Sequence, residues 1–99
     1  MKKLFISQPM NNKSDAHILA ERKIAVSKAE NELGEPVELI DSFIETAPDD
    51  ANPLWYLAKS IEFLSKADIA YFVKGWKDAR GCKIEHECAK QYNVKIIEE

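Results

Sequence analysis

Glu85 is the residue whose chemical type departs most clearly from the pattern around it. In a helix expected from about Gly81 to Tyr92, it shares one stripe with Cys88, Ala89 and Tyr92, and that stripe should face a sheet. We expect Glu85 in the first turn, where the helix dipole and free amides keep a carboxylate ionised. Such a carboxylate can be a nucleophile toward a sugar carbon or a general base. The alternative is a glutamate that only stabilises the helix end.

Three neighbours of Glu85 in sequence could contact a ligand. Gly81 permits a ligand to approach the backbone closely, and Arg80 carries a planar fork suited to phosphate or carboxylate. A tight turn with a solvated arginine is the simpler alternative for this pair. Trp76 follows Gly75 in the same loop and could stack on a base or pack in the core, and both alternatives stay open.

The sequence predicts neither a metal site nor a cofactor site. Cys82 and His86 lie one helical turn apart, but spacing reveals no third or fourth ligand for zinc. A packed thiol and a surface imidazole are the simpler interpretation. The chain also lacks a phosphate-binding loop of the Walker or dinucleotide type.

Strand and helix patterns alternate along the whole chain. Short apolar runs predict four strands, at 4–7, 37–40, 69–73 and 94–97. A long helix should begin at Ser14 or Asp15 and stop before Gly34, and a second should begin at Asn52 and Pro53. The buried stripe expected for the second helix comprises Leu54, Leu57, Ala58, Ile61 and Leu64. The segment 41–51 between the second strand and this helix is polar and typical of a loop.

This alternation predicts an α/β domain with a four-stranded parallel sheet, strand order 2-1-3-4 and helices on both faces. The order reverses its winding between the first and third strands, which places a crevice at their carboxyl ends. Two loops should line that crevice, 7–12 and 75–81. They bring together the candidate ligand-binding residues Ser7, Gln8, Pro9, Met10, Gly75, Trp76, Arg80 and Gly81.

Composition limits the classes of function. The 99 residues suit one domain spanning 1–99, and a net charge of −3 without a basic stripe argues against binding a nucleic acid polymer. The first strand begins close to Met1 and no long apolar run follows, so we expect no export signal and no membrane association. Two cysteines poorly placed for a disulfide agree with a cytoplasmic protein.

Several segments resemble a small phage and bacterial family of nucleoside 2-deoxyribosyltransferase-like proteins. The match covers nearly the whole chain, and the segments that carry it are 5–10, 67–72, 75–76 and 79–89. In the wider superfamily of deoxyribosyltransferases and nucleotide N-glycosidases, the nucleophilic glutamate lies in a Gly-x-x-x-Glu-x-Gly-x-Ala pattern. Gly81, Glu85 and Ala89 match this pattern, and Glu87 replaces its second glycine.

The resemblance implies a Rossmann-like or flavodoxin-like core in which Glu85 attacks the anomeric carbon of a nucleoside or nucleotide. The base would leave, and water or another base would resolve the glycosyl-enzyme. Ser7, Gln8 and Met10 would line the sugar or phosphate pocket, and Asp78 lies near the place of an accessory acid.

Two departures from the superfamily keep other functions open. Its enzymes carry an acid in the helix before the third strand, where this chain has Ser60 with Glu62 nearby. They are also longer, with a site completed by a neighbouring subunit, so we expect a homo-oligomer, dimer or larger. The alternatives are a noncatalytic binder of a nucleotide or ADP-ribose-like ligand, and an interaction module in which Glu85 is structural.

Overall fold

The computed structural model describes all 99 residues, and it consists of four strands and three α-helices in strict alternation. The elements are β1 Lys2–Ser7, α1 Asp15–Leu33, β2 Val37–Leu39, α2 Pro53–Leu64, β3 Ile69–Phe72, a short 3-10 helix Trp76–Asp78, α3 Arg80–Gln91 and β4 Lys95–Glu98. No helix combines the length and apolar composition needed to cross a membrane.

The helices begin and end at the residues that favour helix boundaries. The Ser14 side chain accepts from the amide of His17 at 3.1 Å, and Asn52 does the same for Trp55 at 2.9 Å. Gly34 ends α1 in the left-handed conformation with φ 72°, which glycine adopts without steric cost.

The four strands form one parallel sheet in the order β2-β1-β3-β4, which confirms the predicted topology. β1 pairs with β3 from Leu4 opposite Ile69 to Ser7 opposite Phe72, and the Val73 amide extends this ladder by donating to the Ser7 carbonyl at 2.9 Å. β1 and β3 therefore end at the same edge of the sheet, and the loops that follow them lie next to each other.

Apolar cores cover both faces of the sheet. Leu4 and Ile6 of β1 pack in one cluster with Ala25 and Ala29 of α1. The opposite face carries Phe5 with residues of α2, α3 and the 3-10 helix, namely Leu64, Trp76, Cys82 and Ala89. This division follows from the alternation of side chains along β1, and it places α1 on one side of the strand ends and α2 and α3 on the other.

Three predicted core positions are wrong. Leu54 is 71% exposed because it lies in the first turn of α2, at the mouth of the cleft described below. Ala58 is also exposed, and burial on α2 increases toward Leu64. Tyr92 is 81% exposed because α3 ends at Gln91, and the non-helical backbone of Tyr92 takes its ring off the helical stripe.

Candidate functional site

An open cleft of about 1180 Å³ lies at the carboxyl ends of β1 and β3, where the sequence placed the crevice. The loops after both strands line it, together with the N-terminal turns of α2 and α3. The predicted residues that line the cleft are Ser7, Gln8, Pro9, Met10, Gly75, Asp78, Arg80, Gly81 and Glu85. Trp76 alone among the predicted residues does not line it.

The side chains of Ser7 and Gln8, at the end of β1, point to opposite faces of the sheet. Successive side chains of an extended strand point to opposite faces, so Ser7 continues the face of Phe5 and Gln8 that of Ile6. Ser7 consequently meets Glu85 of α3, whereas Gln8 meets α1.

Glu85 is a buried carboxylate at the edge of the cleft. It is 7% exposed, and its Oε1 accepts a hydrogen bond from Ser7 Oγ at 2.6 Å. Burial raises the pKa of Glu85 from its usual value, and the hydroxyls of Ser7 and Ser60 partly counteract this. The two hydroxyls stabilise the charged form, and no cationic side chain contributes to the pKa of Glu85.

The prediction that Glu85 lies in the first turn of its helix is wrong. α3 begins at Arg80, so Glu85 falls in the second turn, beyond the free amides of the helix end. The hydroxyls of Ser7 in β1 and Ser60 in α2, rather than the helix dipole, stabilise the ionised Glu85 carboxylate. A glutamate with no role but dipole stabilisation does not fit this position.

Cys82 lines the cleft next to Glu85 but is not a nucleophile. Burial raises the pKa of its thiol to about 11, and the nearby Glu85 carboxylate acts in the same direction. The thiol is therefore neutral near pH 7, and the thiolate is the reactive form. Both cysteines are free.

His86 belongs to a packed aromatic cluster rather than to a metal site. Its ring stacks on Trp76 with centroids 4.0 Å apart, and its Nε2 lies 2.7 Å from Glu98 Oε2. Cys82 lines the cleft, so the two side chains of the Cys82 and His86 pair have different partners. No group of three or more His, Cys, Asp or Glu residues is placed to hold a metal ion.

Trp76 packs in the core of the free protein. Of the two alternatives for this ring, stacking on a base and packing in the core, the structure shows the second. It is buried against Phe72 and His86, and its Nε1 has no hydrogen-bond partner. Gly75 precedes it with φ 93°, a conformation that side chains rarely adopt. After this turn the Trp76 ring lies in the core, whereas Gly75 itself lines the cleft.

Gln8 is held by a network that uses both of its amide N–H groups. Its Nε2 donates to the Ile18 carbonyl at 3.2 Å and to Glu21 Oε1 at 3.1 Å, and its Oε1 accepts from Arg22 Nε at 2.6 Å. Lys13 also donates to Glu21 Oε1, at 2.9 Å. Gln8 thus fixes the end of β1 against α1, and its N–H groups are not free for a substrate.

Sequence reasoning missed Arg22 and Ser42, which both line the cleft. Arg22 carried the same signal as Glu85, since it is a charged residue on an otherwise apolar stripe with Ile18, Ala25 and Ala29. Ser42 carried no signal, because nothing in a polar loop distinguishes a buried serine from a solvated one.

A family model described as a domain of unknown function (DUF4406) matches residues 2–98. The match therefore includes every residue that lines the cleft. No curated protein and no solved structure matches the chain significantly.

Proposed function

This chain belongs to the DUF4406 family, and we propose that it is an enzyme that cleaves the N-glycosidic bond of a nucleoside or nucleotide. One observation carries the proposal, namely that the cleft holds a buried carboxylate, Glu85, with a hydroxyl donor 2.6 Å away and no cationic partner. The resemblance to nucleoside 2-deoxyribosyltransferase-like proteins assigns the nucleophile to the same residue. Side-chain geometry and sequence pattern are separate lines of support.

The proposed reaction begins with attack by a carboxylate oxygen of Glu85 on the anomeric carbon. The new C–O bond forms as the C–N bond breaks, and the electron pair of the C–N bond leaves with the base. Water or a second base then attacks the same carbon, loses a proton to the carboxylate that protonated the leaving base, and releases Glu85. Desolvation favours the first step, because a carboxylate without a cationic partner or a full water shell is a stronger nucleophile.

The departing base needs a proton, and Asp78 is the acid that we assign to this role. Asp78 lies on the 3-10 helix and lines the cleft from the exposed side. Ser60 of α2 stands near Glu85 where the superfamily has an acid, and its hydroxyl lowers the pKa of Glu85. Ser60 thus supports the ionised nucleophile without supplying a proton of its own.

A noncatalytic binder of a nucleotide or ADP-ribose-like ligand is the second candidate. The observation that favours it is the hydroxyl of Ser60 in place of a second buried acid beside Glu85. A single carboxylate that is hydrogen-bonded to Ser7 and lies near Ser60 can accept hydrogen bonds from the hydroxyls of a sugar without attacking its carbon. Turnover separates the two candidates, since a binder releases no base.

We also propose that the protein assembles as a homo-oligomer in the cytoplasm, with no nucleic acid polymer or membrane as partner. Four large apolar side chains are exposed at the cleft, Met10, Leu54, Tyr56 and Ile84. A second copy covering them would remove apolar surface from water and narrow the cleft. Free cysteines agree with a reducing compartment.

The proposal is tested by incubating the protein with a panel of nucleosides and nucleoside monophosphates and separating the products by chromatography. Parallel samples contain a second free base, so that transfer and hydrolysis are distinguished. The proposal expects release of base from at least one compound. Saturable binding by calorimetry without release of base from any compound would instead establish the binder.

A further inference from the structure

Arg22 lies buried at the cleft, on the opposite side of β1 from Glu85. It is 3% exposed, and its only hydrogen bond runs from Nε to Gln8 Oε1 at 2.6 Å. Its two terminal nitrogens take part in no hydrogen bond or ion pair, although a guanidinium has five N–H donors. These two nitrogens are not sealed from solvent, so a ligand can reach donors that the protein itself leaves unused.

Ser42 supplies a second unpaired polar group to the same cleft. It follows β2 and is buried, and its Oγ has no hydrogen-bond partner. The cleft lining includes both Ser42 and Arg22. Two unpaired groups that can both donate would be satisfied together by one ligand with several acceptor oxygens.

The surroundings leave the charge of Arg22 largely uncompensated. Burial lowers the pKa of the guanidinium and the carboxylate of Asp41 raises it. Arg22 takes part in none of the ion pairs of the structure. The Phe43 ring lies 5.8 Å from the guanidinium carbon and covers part of its surface. Arginine remains protonated in proteins, so the cleft contains a desolvated positive charge.

We propose that Arg22 and Ser42 form an oxyanion-binding subsite, which takes a phosphate or carboxylate group of the ligand. The planar fork of arginine matches either group with two parallel hydrogen bonds, and the Ser42 hydroxyl adds a third. The substrate class that follows is an anionic nucleoside derivative, a nucleotide in the phosphate case. This assignment of class rests on the proposed function, whereas the binding of an anion does not.

The subsite and Glu85 lie on the two sides of the end of β1. Arg22 contacts Gln8, and Glu85 contacts the neighbouring Ser7. Arg22 and Glu85 both line the cleft. A ligand that extends across the end of β1 would therefore contact both groups.

The test uses inorganic phosphate and acetate as probes and follows the Arg22 Nε–H and Ser42 amide signals by NMR. The variants are Arg22→Gln and Ser42→Ala, with Lys23→Gln as the control that removes a positive charge from the same turn of α1. Ser42→Ala deletes a hydroxyl that has no partner in the free protein, so the fold is preserved. It keeps the test informative if Arg22→Gln fails to fold.

We expect saturable shifts of both signals with at least one of the two anions. In Arg22→Gln the saturable shift of the Ser42 amide should disappear. Ser42→Ala should weaken the affinity measured at the Arg22 Nε–H by about tenfold, and Lys23→Gln should change it less than about twofold. Tighter binding of phosphate identifies a phosphate subsite, and tighter binding of acetate identifies a carboxylate subsite. Absence of saturable shifts with either anion, or affinities unchanged by both substitutions, would overturn the subsite.

The two proposals fail separately. If phosphate or acetate binds saturably at Arg22 but no nucleotide or nucleoside releases base, the subsite is supported and the proposed function is wrong. If base is released at rates that Arg22→Gln and Ser42→Ala leave unchanged, and neither anion binds, the function stands and the subsite falls.

Discussion

Ser7 Oγ donates a 2.6 Å hydrogen bond to Glu85 Oε1, joining the end of β1 to α3 across 78 positions of sequence. The bond is buried, and a hydrogen bond to a charged group contributes more than one between neutral groups. It lowers the pKa of Glu85 against the opposing effect of burial. Ser7 is therefore one of two residues, together with Ser60, whose hydroxyls favour the ionised carboxylate against burial.

Replacing Ser7 by alanine should raise the pKa of Glu85 and shift the acidic limb of the pH profile of turnover to higher pH. Loss of a hydrogen bond to a charged group costs about 1.5–3 kcal/mol, which corresponds to roughly tenfold or more in rate on that limb. Ser7→Thr, which keeps the hydroxyl, serves as the control. A Ser7→Ala profile that overlays the wild-type profile would contradict this role.

The topology and the location of the cleft could be predicted from sequence because both depend on local patterns. Short apolar runs separated by helical stripes specify a parallel sheet, and the order of parallel strands fixes the edge where loops meet. Glu85 was identified because a charged residue interrupts an apolar stripe.

The details that sequence could not predict depend on contacts between distant segments. The partners of Glu85 come from β1 and α2, and neither has a local signature that links it to α3. The burial of Trp76 depends on His86 and Phe72, and the exposure of Leu54 depends on where the sheet ends beneath α2.

The stability of the protein should respond to Glu85 in a pH-dependent way. The pKa of the buried carboxyl is raised in the folded state, so the native protein holds more protons between the unfolded value, near 4.5, and the folded one. The protonated Glu85 carboxyl therefore leaves the folded state fully stable at low pH, and the protein loses stability as the pH rises through that window.

Glu85→Gln should therefore be more stable than the wild type near neutral pH. The difference should be about 1.4 kcal/mol for each unit by which the folded pKa is raised, and it should shrink as the pH falls below about 4.5. Urea unfolding at several pH values measures it, with the exposed Glu87→Gln as the control. If the stability difference between Glu85→Gln and the wild type is no larger at neutral pH than at acid pH, the pKa of Glu85 is not raised in the folded protein.

Trp76 should contribute to stability rather than to ligand binding. The ring is buried between Phe72 and His86, so Trp76→Ala should lower the free energy of unfolding by about 3–5 kcal/mol. Thermal and chemical denaturation measure this loss. A small loss of stability combined with a large loss of ligand affinity would instead assign the ring to the ligand.

Leu54 should contribute to assembly. Its side chain is 71% exposed in the single chain, so Leu54→Lys should change the stability of an isolated subunit by less than about 0.5 kcal/mol. In an oligomer that covers the cleft mouth, the same change buries a charge and should promote dissociation. Light scattering of both proteins across micromolar concentrations decides this, and a wild type that is monomeric throughout would exclude the assembly.

The rate of base release by Glu85→Gln tests whether Glu85 is the nucleophile of the cleft. The substrate is the best compound found for the wild type. Glu87→Gln is the matched control, because Glu87 is an exposed glutamate of the same helix whose side chain contacts Gln91. We predict that Glu85→Gln keeps the fold and loses roughly a thousandfold or more of the turnover, while Glu87→Gln stays within about threefold of the wild type. A folded Glu85→Gln variant that turns over substrate at nearly the wild-type rate would exclude Glu85 as the nucleophile.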